Sequence, residues 1–178
     1  MLSPIKIPIG GVMSASEDLV KGKKILIVDD EPDVLDTLSD ILSMCTVVRA
    51  GTFEEGKRQL ETQPLDLAVL DIMGVNGYQL LEIAVEKKVT ALMLTAHALS
   101  PEHTMKSFKG GAAYYVPKDK MGELPEIIAR IIEAKQAGRS TWVSFLDWAD
   151  PYYRAKFGPA WEKHRRDFQQ EIEMLTKD

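Results

Sequence analysis

The sequence predicts an α/β domain in which a parallel sheet is covered by helices on both faces. Between residues 24 and 137, five short apolar runs alternate with stretches in which apolar residues recur every three or four positions. Short runs with β-branched side chains are typical of buried strands, and the three- and four-residue spacing is typical of amphipathic helices. Strands that alternate with helices form right-handed parallel units, so both faces of the sheet are buried.

The five apolar runs are the predicted strands. In chain order they are KILIV at 24–28, TVVRA at 46–50, LAVL at 67–70, TALML at 90–94 and AAYYV at 112–116. Open parallel sheets form their ligand sites beyond the carboxyl ends of the strands. The residues that follow these runs are therefore the first candidates for a functional site.

Several of the intervening stretches carry helix signals. The stretch 32–43 places apolar residues on one face, namely Val34, Leu35, Leu38, Ile41 and Leu42. The stretch 123–137 repeats the pattern with Leu124, Ile127, Ile128, Ile131 and Ile132. Thr52 followed by Glu55 fits a capping box at the start of a third helix.

Polar side chains follow four of the predicted strands. They are Asp29, Asp30 and Glu31 after the first strand, Asp71 after the third, Thr95 after the fourth and Lys118 after the fifth. Two carboxylates at about 4 Å repel each other by about 1 kcal/mol in water, and by more at a lower dielectric. A cation removes that repulsion, and Mg²⁺ is typically held by one or two carboxylates together with water and phosphate.

The same set of side chains suits phosphoryl transfer. An aspartate beside a metal ion can act as a nucleophile toward a phosphoryl group. A lysine supplies positive charge for the phosphate oxygens, and a threonine supplies a hydroxyl donor. The acid run could also serve only to cap the helix that follows, because acidic residues favour that end of a helix.

Four motifs in the same order make residues 24 to 137 resemble the receiver domain of two-component response regulators. The motifs are ILIVDDEP, LAVLDIMGVNGYQLL, LMLTAHA and AAYYVPKDKM. The resemblance implies a receiver domain at 23–138 with a flavodoxin-like, doubly wound sheet of strand order 2-1-3-4-5. It also implies a signalling protein that is not an enzyme.

The resemblance implies a role for each residue that touches the phosphoryl group. Asp71 matches the aspartate that accepts the group from a histidine kinase or phosphotransfer protein. Thr95 and Lys118 match the residues that contact the transferred group. Tyr115 matches the aromatic switch residue that moves inward with Thr95, although a plain core tyrosine is an equally good interpretation of that position.

The resemblance also implies a Mg²⁺ site. Asp29 and Asp30 match the acidic pair that holds the ion directly or through water. Asp71 and the backbone carbonyl of Met73 complete the expected set of ligands.

Two features depart from the family pattern. In DIMGVNG the glycine at 77 comes two residues early and the usual proline is missing, which predicts a shorter loop over the site. Asp119 follows Lys118 where the family has a proline after a cis bond. A cis bond without proline costs about 2.5–4 kcal/mol, so we expect the Lys118–Asp119 bond to be trans.

The two ends of the chain lie outside the resemblance. Residues 1–22 are predicted to be a flexible N-terminal leader, since their apolar stretch is broken by prolines and glycines. Residues 139–178 hold all three tryptophans and eight of the thirteen aromatic residues, which predicts a helical C-terminal extension. One helix is expected at about 141–156 and another from Pro159, with an apolar face of Trp161, Phe168, Ile172 and Leu175.

The extension has two possible roles. It could be a helical hairpin packed on the domain or on a second copy, or it could be an aromatic docking surface for an unknown downstream protein. In this family the face around 101–137 can also mediate a homodimer.

The charge and composition argue against other classes of partner. The net charge of −5 and the balanced extension, with seven basic and seven acidic residues, do not predict direct DNA binding. The sequence has no apolar run of about 18 residues, so no membrane span is predicted. The single cysteine, Cys45, excludes an internal disulfide and fits a cytoplasmic protein.

Two alternatives to a phosphorylation-controlled switch remain. The first is a receiver-like interaction module that works without phosphate, which the shorter loop favours. The second is a Mg²⁺-dependent phosphatase of the haloacid dehalogenase type, which uses an aspartate nucleophile. That class needs Asp-x-Asp after its first strand, whereas here the third residue is Glu31.

Overall fold

All five predicted strands are present in the computed structural model, which describes residues 15–96 and 100–177. The strands are β1 (Lys24–Val28), β2 (Thr46–Ala50), β3 (Leu67–Asp71), β4 (Thr90–Thr95) and β5 (Tyr114–Pro117). The helices of the described residues are α1 (Ala15–Val20), α2 (Pro32–Ile41), α3 (Phe53–Thr62), α4 (Gly77–Glu86), α5 (Pro101–Lys109), α6 (Leu124–Gln136), α7 (Thr141–Phe157) and α8 (Ala160–Thr176). A 3₁₀ turn at Lys118–Glu123 joins β5 to α6.

The strands form one parallel sheet of order β2-β1-β3-β4-β5, which confirms the predicted fold class and strand order. The strands pair with their carboxyl ends level, since Val28 lies opposite Ala50 and Leu70, and Asp71 lies opposite Leu94. This register brings the residues that follow β1, β3, β4 and β5 to one edge of the sheet.

Burial follows the position of each strand in the sheet. Every residue of the central strand β3 is buried, and β1 is buried after its first residue. The edge strand β2 exposes Thr46 and Arg49, and Arg49 pairs with Asp36 of α2 at 2.7 Å. Apolar strands with helices against both faces therefore form the core, as expected for a parallel sheet.

The start of α3 carries a modified capping box. The side chain of Thr52 accepts the backbone N–H of Glu55, as the sequence predicts. The Glu55 carboxylate accepts the N–H of Gly51, one residue before the N-cap, at 2.8 Å. The Thr52 hydroxyl and the Glu55 carboxylate thus each accept a hydrogen bond from a backbone N–H at the start of α3.

The prediction of a flexible leader is wrong for residues 15–20. These residues form α1, which packs against α6, and Val20 is fully buried. A helix of six residues is too short to show a periodic pattern, and the breaking prolines and glycines all come before it. Residues 1–14 lie outside the described residues.

The extension folds into an antiparallel pair of helices, α7 and α8, called the C-terminal hairpin below. α7 packs against β5 and α6, and it begins and ends within one residue of the prediction. Asp150 of α7 closes the hairpin, because its carboxylate accepts the indole N–H of Trp161 at 2.9 Å and pairs with Arg165 of α8 at 3.5 Å. The aromatic side chains therefore pack inside this chain, which favours the packed hairpin over an exposed docking surface.

The apolar face of α8 is one turn shorter than predicted. Trp161, Phe168 and Ile172 are buried as expected. Leu175 is 62% exposed, and the neighbouring Met174 is 63% exposed. The packed part of α8 ends at Ile172, since its last turn has little of the hairpin to cover it.

Among the described residues, no helix has the length and apolar character needed to cross a bilayer.

Candidate functional site

A lysine and three carboxylates meet at the carboxyl edge of the sheet. The Lys118 Nζ lies 2.8 Å from Asp29 Oδ2, 3.0 Å from Glu31 Oε1 and 3.5 Å from Asp71 Oδ1. Asp29 and Asp71 are buried, whereas Glu31 is exposed. The structure thus brings together three of the predicted site residues: Asp29, Asp71 and Lys118.

The local fold after β1 explains why Asp29 is buried whereas the next two acidic residues, Asp30 and Glu31, are exposed. Asp29 continues the sheet, since its N–H donates to the carbonyl of Ala50, and its Oδ1 accepts the N–H of Glu31 at 2.9 Å. This bond turns the chain so that α2 begins at Pro32, a residue well suited to the first turn of a helix. Asp29 is therefore buried, and Asp30 and Glu31 are left exposed at the edge.

The loop after Asp71 is short and closely packed. Gly74 has φ +82°, and a Cβ at this position would lie 2.5 Å from the Asp30 carboxylate. Asn76 also has a positive φ, of 51°. A Cβ on Gly77 would lie 2.1 Å from the backbone oxygen of Asp71. Two left-handed residues and a close-packed glycine allow this loop to close without the proline of the family pattern.

Met73 belongs to the same loop. Its side chain is 57% exposed. Its backbone carbonyl, the predicted metal ligand, follows Asp71 by two residues.

The donor set at this edge fits a hard divalent cation. Carboxylate oxygens of Asp29, Asp30 and Glu31 all lie within 4.8 Å of one another. Oxygen ligands of this kind suit Mg²⁺. The residues present therefore fit the predicted ion, with Glu31 as an additional nearby carboxylate.

Sequence reasoning did not assign a role to Glu31. Its contact with Lys118 makes it part of the site, and its place in the acid run was the available signal. It offers Lys118 a partner at the exposed side of the cluster.

Burial and charge shift the pKa values of the two central groups. Burial, together with the negative charge of Asp29, raises the pKa of Asp71 to about 6, although Lys118 opposes this rise. Burial lowers the pKa of Lys118, but its contacts with Asp29 and Glu31 outweigh this and raise it above its ordinary value. Lys118 is therefore charged at neutral pH.

Thr95 and Tyr115, the remaining predicted site residues, lie on the neighbouring strands β4 and β5 and contact each other. Both side chains are buried, Thr95 at the end of β4 and Tyr115 in β5. A hydrogen bond joins the Tyr115 hydroxyl to the Thr95 side chain, and burial raises the pKa of Tyr115 to about 12. Tyr114 faces the opposite side of the sheet, where its hydroxyl lies 3.2 Å from Ser144 Oγ of α7. Of the two adjacent tyrosines, Tyr115 is therefore the one whose side chain lies on the same side of the sheet as Thr95.

The peptide bond after Lys118 is trans, as expected, and so are the other peptide bonds of the described residues. Asp119 is exposed. Its carboxylate therefore remains outside the buried cluster.

The C-terminal hairpin holds the 3₁₀ turn that begins at Lys118. Glu123 accepts hydrogen bonds from the indole N–H of Trp148 at 3.2 Å and from the hydroxyl of Tyr152 at 3.4 Å. The Lys120 Nζ lies 4.4 Å from the centre of the Tyr152 ring. The segment that carries Lys118 is thus anchored to α7.

Comparisons with known proteins agree with this geometry. The family model described as the response regulator receiver domain matches residues 25–131, which is more than half of the chain. The two-component response regulator ARR10 of Arabidopsis thaliana is 31% identical over 120 residues, covering 62% of this chain and 21% of that protein. The chain thus spans about a fifth of the length of this curated relative.

Solved structures show the same fold. A CheY-like receiver domain protein from Methanospirillum hungatei JF-1 is 29% identical with a TM-score of 0.59, covering 66% of this chain and 99% of that one. The receiver domain of DrrB, a Thermotoga maritima protein, in its BeF3-activated form is 26% identical with a TM-score of 0.55, covering 63% of this chain and 98% of that one. About a third of this chain has no counterpart in either structure. Through residues 25–131, the chain belongs to the family of response regulator receiver domains.

Proposed function

We propose that the chain is a phosphorylation-controlled switch in which Asp71 accepts a phosphoryl group from a histidine kinase or phosphotransfer protein. The observation that supports this most directly is the contact between buried Asp71 and Lys118 at the carboxyl edge of the sheet. A receiver domain at 23–138 would carry the reaction. The extension at 139–178 would transmit the result to a protein partner, and the chain itself would have no enzymatic output.

The reaction follows from the chemistry of these side chains. An oxygen of the Asp71 carboxylate attacks the phosphorus atom, and the bond between phosphorus and the histidine nitrogen breaks. The electron pair stays on the imidazole, which takes up a proton from solvent. A pKa of about 6 leaves Asp71 mostly ionised at neutral pH, as a nucleophile must be.

The neighbouring residues would stabilise the transferred group. Lys118 is charged and neutralises phosphoryl oxygens, and the Thr95 hydroxyl can donate a hydrogen bond to one of them. Asp29, Asp30, Asp71 and the carbonyl of Met73 would hold Mg²⁺, which neutralises negative charge on the phosphoryl group. Tyr115 would move together with Thr95 and carry the change to the surface.

Labelling with acetyl phosphate, a small phosphoryl donor, tests this proposal. The wild-type chain should gain one phosphoryl group by intact mass, and only when Mg²⁺ is present. Asp71→Asn should lose the label, since an amide is not a nucleophile toward phosphorus. The matched control Asp36→Asn changes an exposed carboxylate away from the site and should label normally.

Three results would contradict the proposal. They are no labelling of the wild type, labelling that persists in Asp71→Asn, and labelling that does not depend on Mg²⁺. Continuous release of phosphate over many turnovers would instead indicate the phosphatase.

The short loop favours one second candidate, a module that binds its partner without phosphate. Gly74 packs on the Asp30 carboxylate, so this loop closes over one of the expected metal ligands. In that case Asp71→Asn would bind the partner as tightly as the wild type. A phosphorylation-controlled switch would instead lose the response of binding to acetyl phosphate.

A further inference from the structure

A groove lies where α6 meets the two helices of the C-terminal hairpin. Its volume is about 750 Å³, which is within the size range of ligand-binding cavities. Buried Ala134 of α6 and Ile172 of α8 line it, together with Val143 of α7, whose side chain is 54% exposed. The groove therefore presents an uncovered apolar surface at the junction of the receiver domain and the hairpin.

Carboxylates outnumber basic groups around this groove. One carboxylate from each helix and two guanidinium groups line it, namely Glu133, Asp147, Glu173, Arg130 and Arg139. The guanidinium of Arg130 is already paired with Glu126 at 2.8 Å. The groove thus suits an occupant that combines apolar side chains with a positive charge.

Residues 1–14, called the N-terminal segment below, have that composition. Seven of the fourteen are Met, Leu, Ile or Val, and Lys6 is the one charged residue. Three isoleucines alternate along the sequence, which places them on one side of an extended chain, namely Ile5, Ile7 and Ile9. Pro4 and Pro8 favour an extended chain, because a proline and the residue before it are both disfavoured inside helices.

The groove is within reach of the N-terminal segment. The segment continues directly into α1, which packs against α6, and α6 contributes residues to the groove. With 13 residues, α6 is about 20 Å long and about 10–12 Å wide. Fourteen residues of extended chain span up to about 46 Å. About half of the segment can therefore cross α6, and the remainder can lie in the groove.

A second groove against α6 is a poorer match for the segment. Its volume is about 230 Å³, and Lys23 and Lys135 line it beside Asp66. These two lysines would repel Lys6, whereas the carboxylates of the larger groove would attract it. The tether also favours the segment over a second copy of the chain, since a short flexible tether gives an effective concentration of about 1 mM.

We propose that the N-terminal segment docks in extended form in the groove between α6, α7 and α8. Its isoleucines pack on Val143, and Lys6 lies among the carboxylates. The two ends of the chain then stabilise each other, because the segment covers the hairpin and the hairpin holds the segment. This inference does not depend on phosphorylation of Asp71, so the two proposals can fail separately.

A double-mutant cycle on the thermal midpoint tests the docking. One change is deletion of residues 1–14, and the other is Val143→Asp, which puts a charge on the exposed valine of the groove. Each change alone should lower the midpoint by about 3–6 °C, since each removes the same docked contacts. In the chain that begins at Ala15, Val143→Asp should have almost no further effect.

Val85→Asp is the matched control for this cycle. Val85 lies in α4, away from the groove, and its side chain is 47% exposed, close to the value for Val143. Its effect on the midpoint should be the same with and without the N-terminal segment.

An exchange of charges tests the place of Lys6. Lys6→Glu should lower the midpoint, because it brings a further carboxylate to an acidic groove. Glu173→Lys should raise the midpoint more in the Lys6→Glu chain than in the wild type, since it restores a contact between opposite charges. Comparison of the two backgrounds removes the effect that Glu173→Lys has on α8 by itself.

A synthetic peptide of residues 1–14, with a fluorophore at its carboxyl end, tests the binding directly. It should bind the chain that begins at Ala15 with a dissociation constant below about 1 mM, because a weaker site would not be filled by the tethered segment. Val143→Asp should weaken this binding by about tenfold. The full-length chain should bind the peptide poorly, since its own segment occupies the groove.

Three results would overturn the inference. They are equal effects of Val143→Asp with and without residues 1–14, equal peptide binding by the Val143→Asp variant, and no recovery of Lys6→Glu by Glu173→Lys. A full-length chain that light scattering shows to be a dimer, and that Val143→Asp converts to a monomer, would overturn it too and make a second copy the occupant. Acetyl-phosphate labelling of the same variants decides the proposed function independently.

Discussion

Gly77 shows how one residue fixes the shape of the site. A Cβ at this position would lie 2.1 Å from the backbone oxygen of Asp71 and 2.8 Å from its carbonyl carbon. A backbone neighbour cannot move aside as a flexible side chain can. The start of α4 can approach Asp71 this closely only because residue 77 has no side chain.

We expect Gly77→Ala to lower the free energy of unfolding by about 3 kcal/mol or more, since overpacking against backbone forces the loop to shift. Labelling of Asp71 should fall with it. Urea unfolding and acetyl-phosphate labelling measure the two effects. Gly122→Ala is the control, because a Cβ there meets nothing within 4 Å and should leave stability the same or slightly higher.

For single residues, the sequence predicts where a side chain lies in the fold better than it predicts which atoms that side chain contacts. Asp29, Asp71 and Lys118 could be placed at one edge because each follows a strand of a parallel sheet. The hydrogen bond from the Glu31 N–H to Asp29, which buries one acid and exposes the next, depends on local turn geometry that residue type does not reveal. The contact of Glu31 with Lys118 follows from that turn.

At the scale of elements, strand cores were predictable and boundaries were less so. The runs at 24–28 and 46–50 match β1 and β2 residue for residue. The fifth predicted run begins two residues before β5, because Ala112 and Ala113 are apolar and buried but precede the strand. Burial alone gives an apolar pattern, and pairing with a neighbouring strand decides where a strand begins.

The thiol of Cys45 provides a test of whether α1 is docked. Its Sγ donates to the carbonyl of Val20 at 3.5 Å, and burial raises the pKa of the thiol to about 11. Since the thiolate is the reactive form, a raised pKa means less thiolate at a given pH. Alkylation at pH 8 should be about a hundredfold slower than that of an ordinary cysteine, and it should rise with pH up to about 11.

Iodoacetamide labelling followed by mass measures this rate. Deletion of residues 1–14 should leave the rate unchanged, because α1 begins at Ala15. Deletion through Val20 should increase it, since the carbonyl and side chain that cover the thiol are then absent. Equal rates in both deletions would mean that α1 does not protect Cys45.

At the scale of the whole molecule, the hairpin covers a face that the family can use for dimers. α7 packs against β5 and α6, which lie within the 101–137 region considered for a homodimer. The indole N–H of Trp142 donates to the carbonyl of Ala112 at 2.6 Å, and Phe108 meets the Trp142 ring edge-to-face. A second copy could use the same contacts only after α7 had moved.

A chain that stops after Gly138 should therefore be less stable and should self-associate. Loss of a buried Phe or Trp side chain alone costs about 3–5 kcal/mol, and this truncation removes several. We expect the thermal midpoint to fall by about 10 °C or more, and light scattering to detect species larger than a monomer. A chain that stops after Glu173 is the control, because Met174 and Leu175 are mostly exposed.

A truncated chain that stays monomeric with an unchanged thermal midpoint would show that the receiver domain is stable and monomeric without the hairpin.

The aromatic content of the extension predicts helices, but not which face of the sheet they cover. That choice depends on complementary shapes, such as the Trp142 ring against Phe108, which no single-sequence pattern encodes.

The antiparallel course of the hairpin also fixes where the chain leaves the molecule. α7 runs from the end of α6 toward the 3₁₀ turn beside Lys118, and α8 runs back, so that Thr176 lies near Gly138. α1 leads into the opposite end of β1 from Asp29, so both described ends emerge at the edge of the sheet away from the acidic cluster. A fluorophore, bead or surface linkage placed at either described end would thus hold the molecule with its acidic edge facing away from the point of attachment.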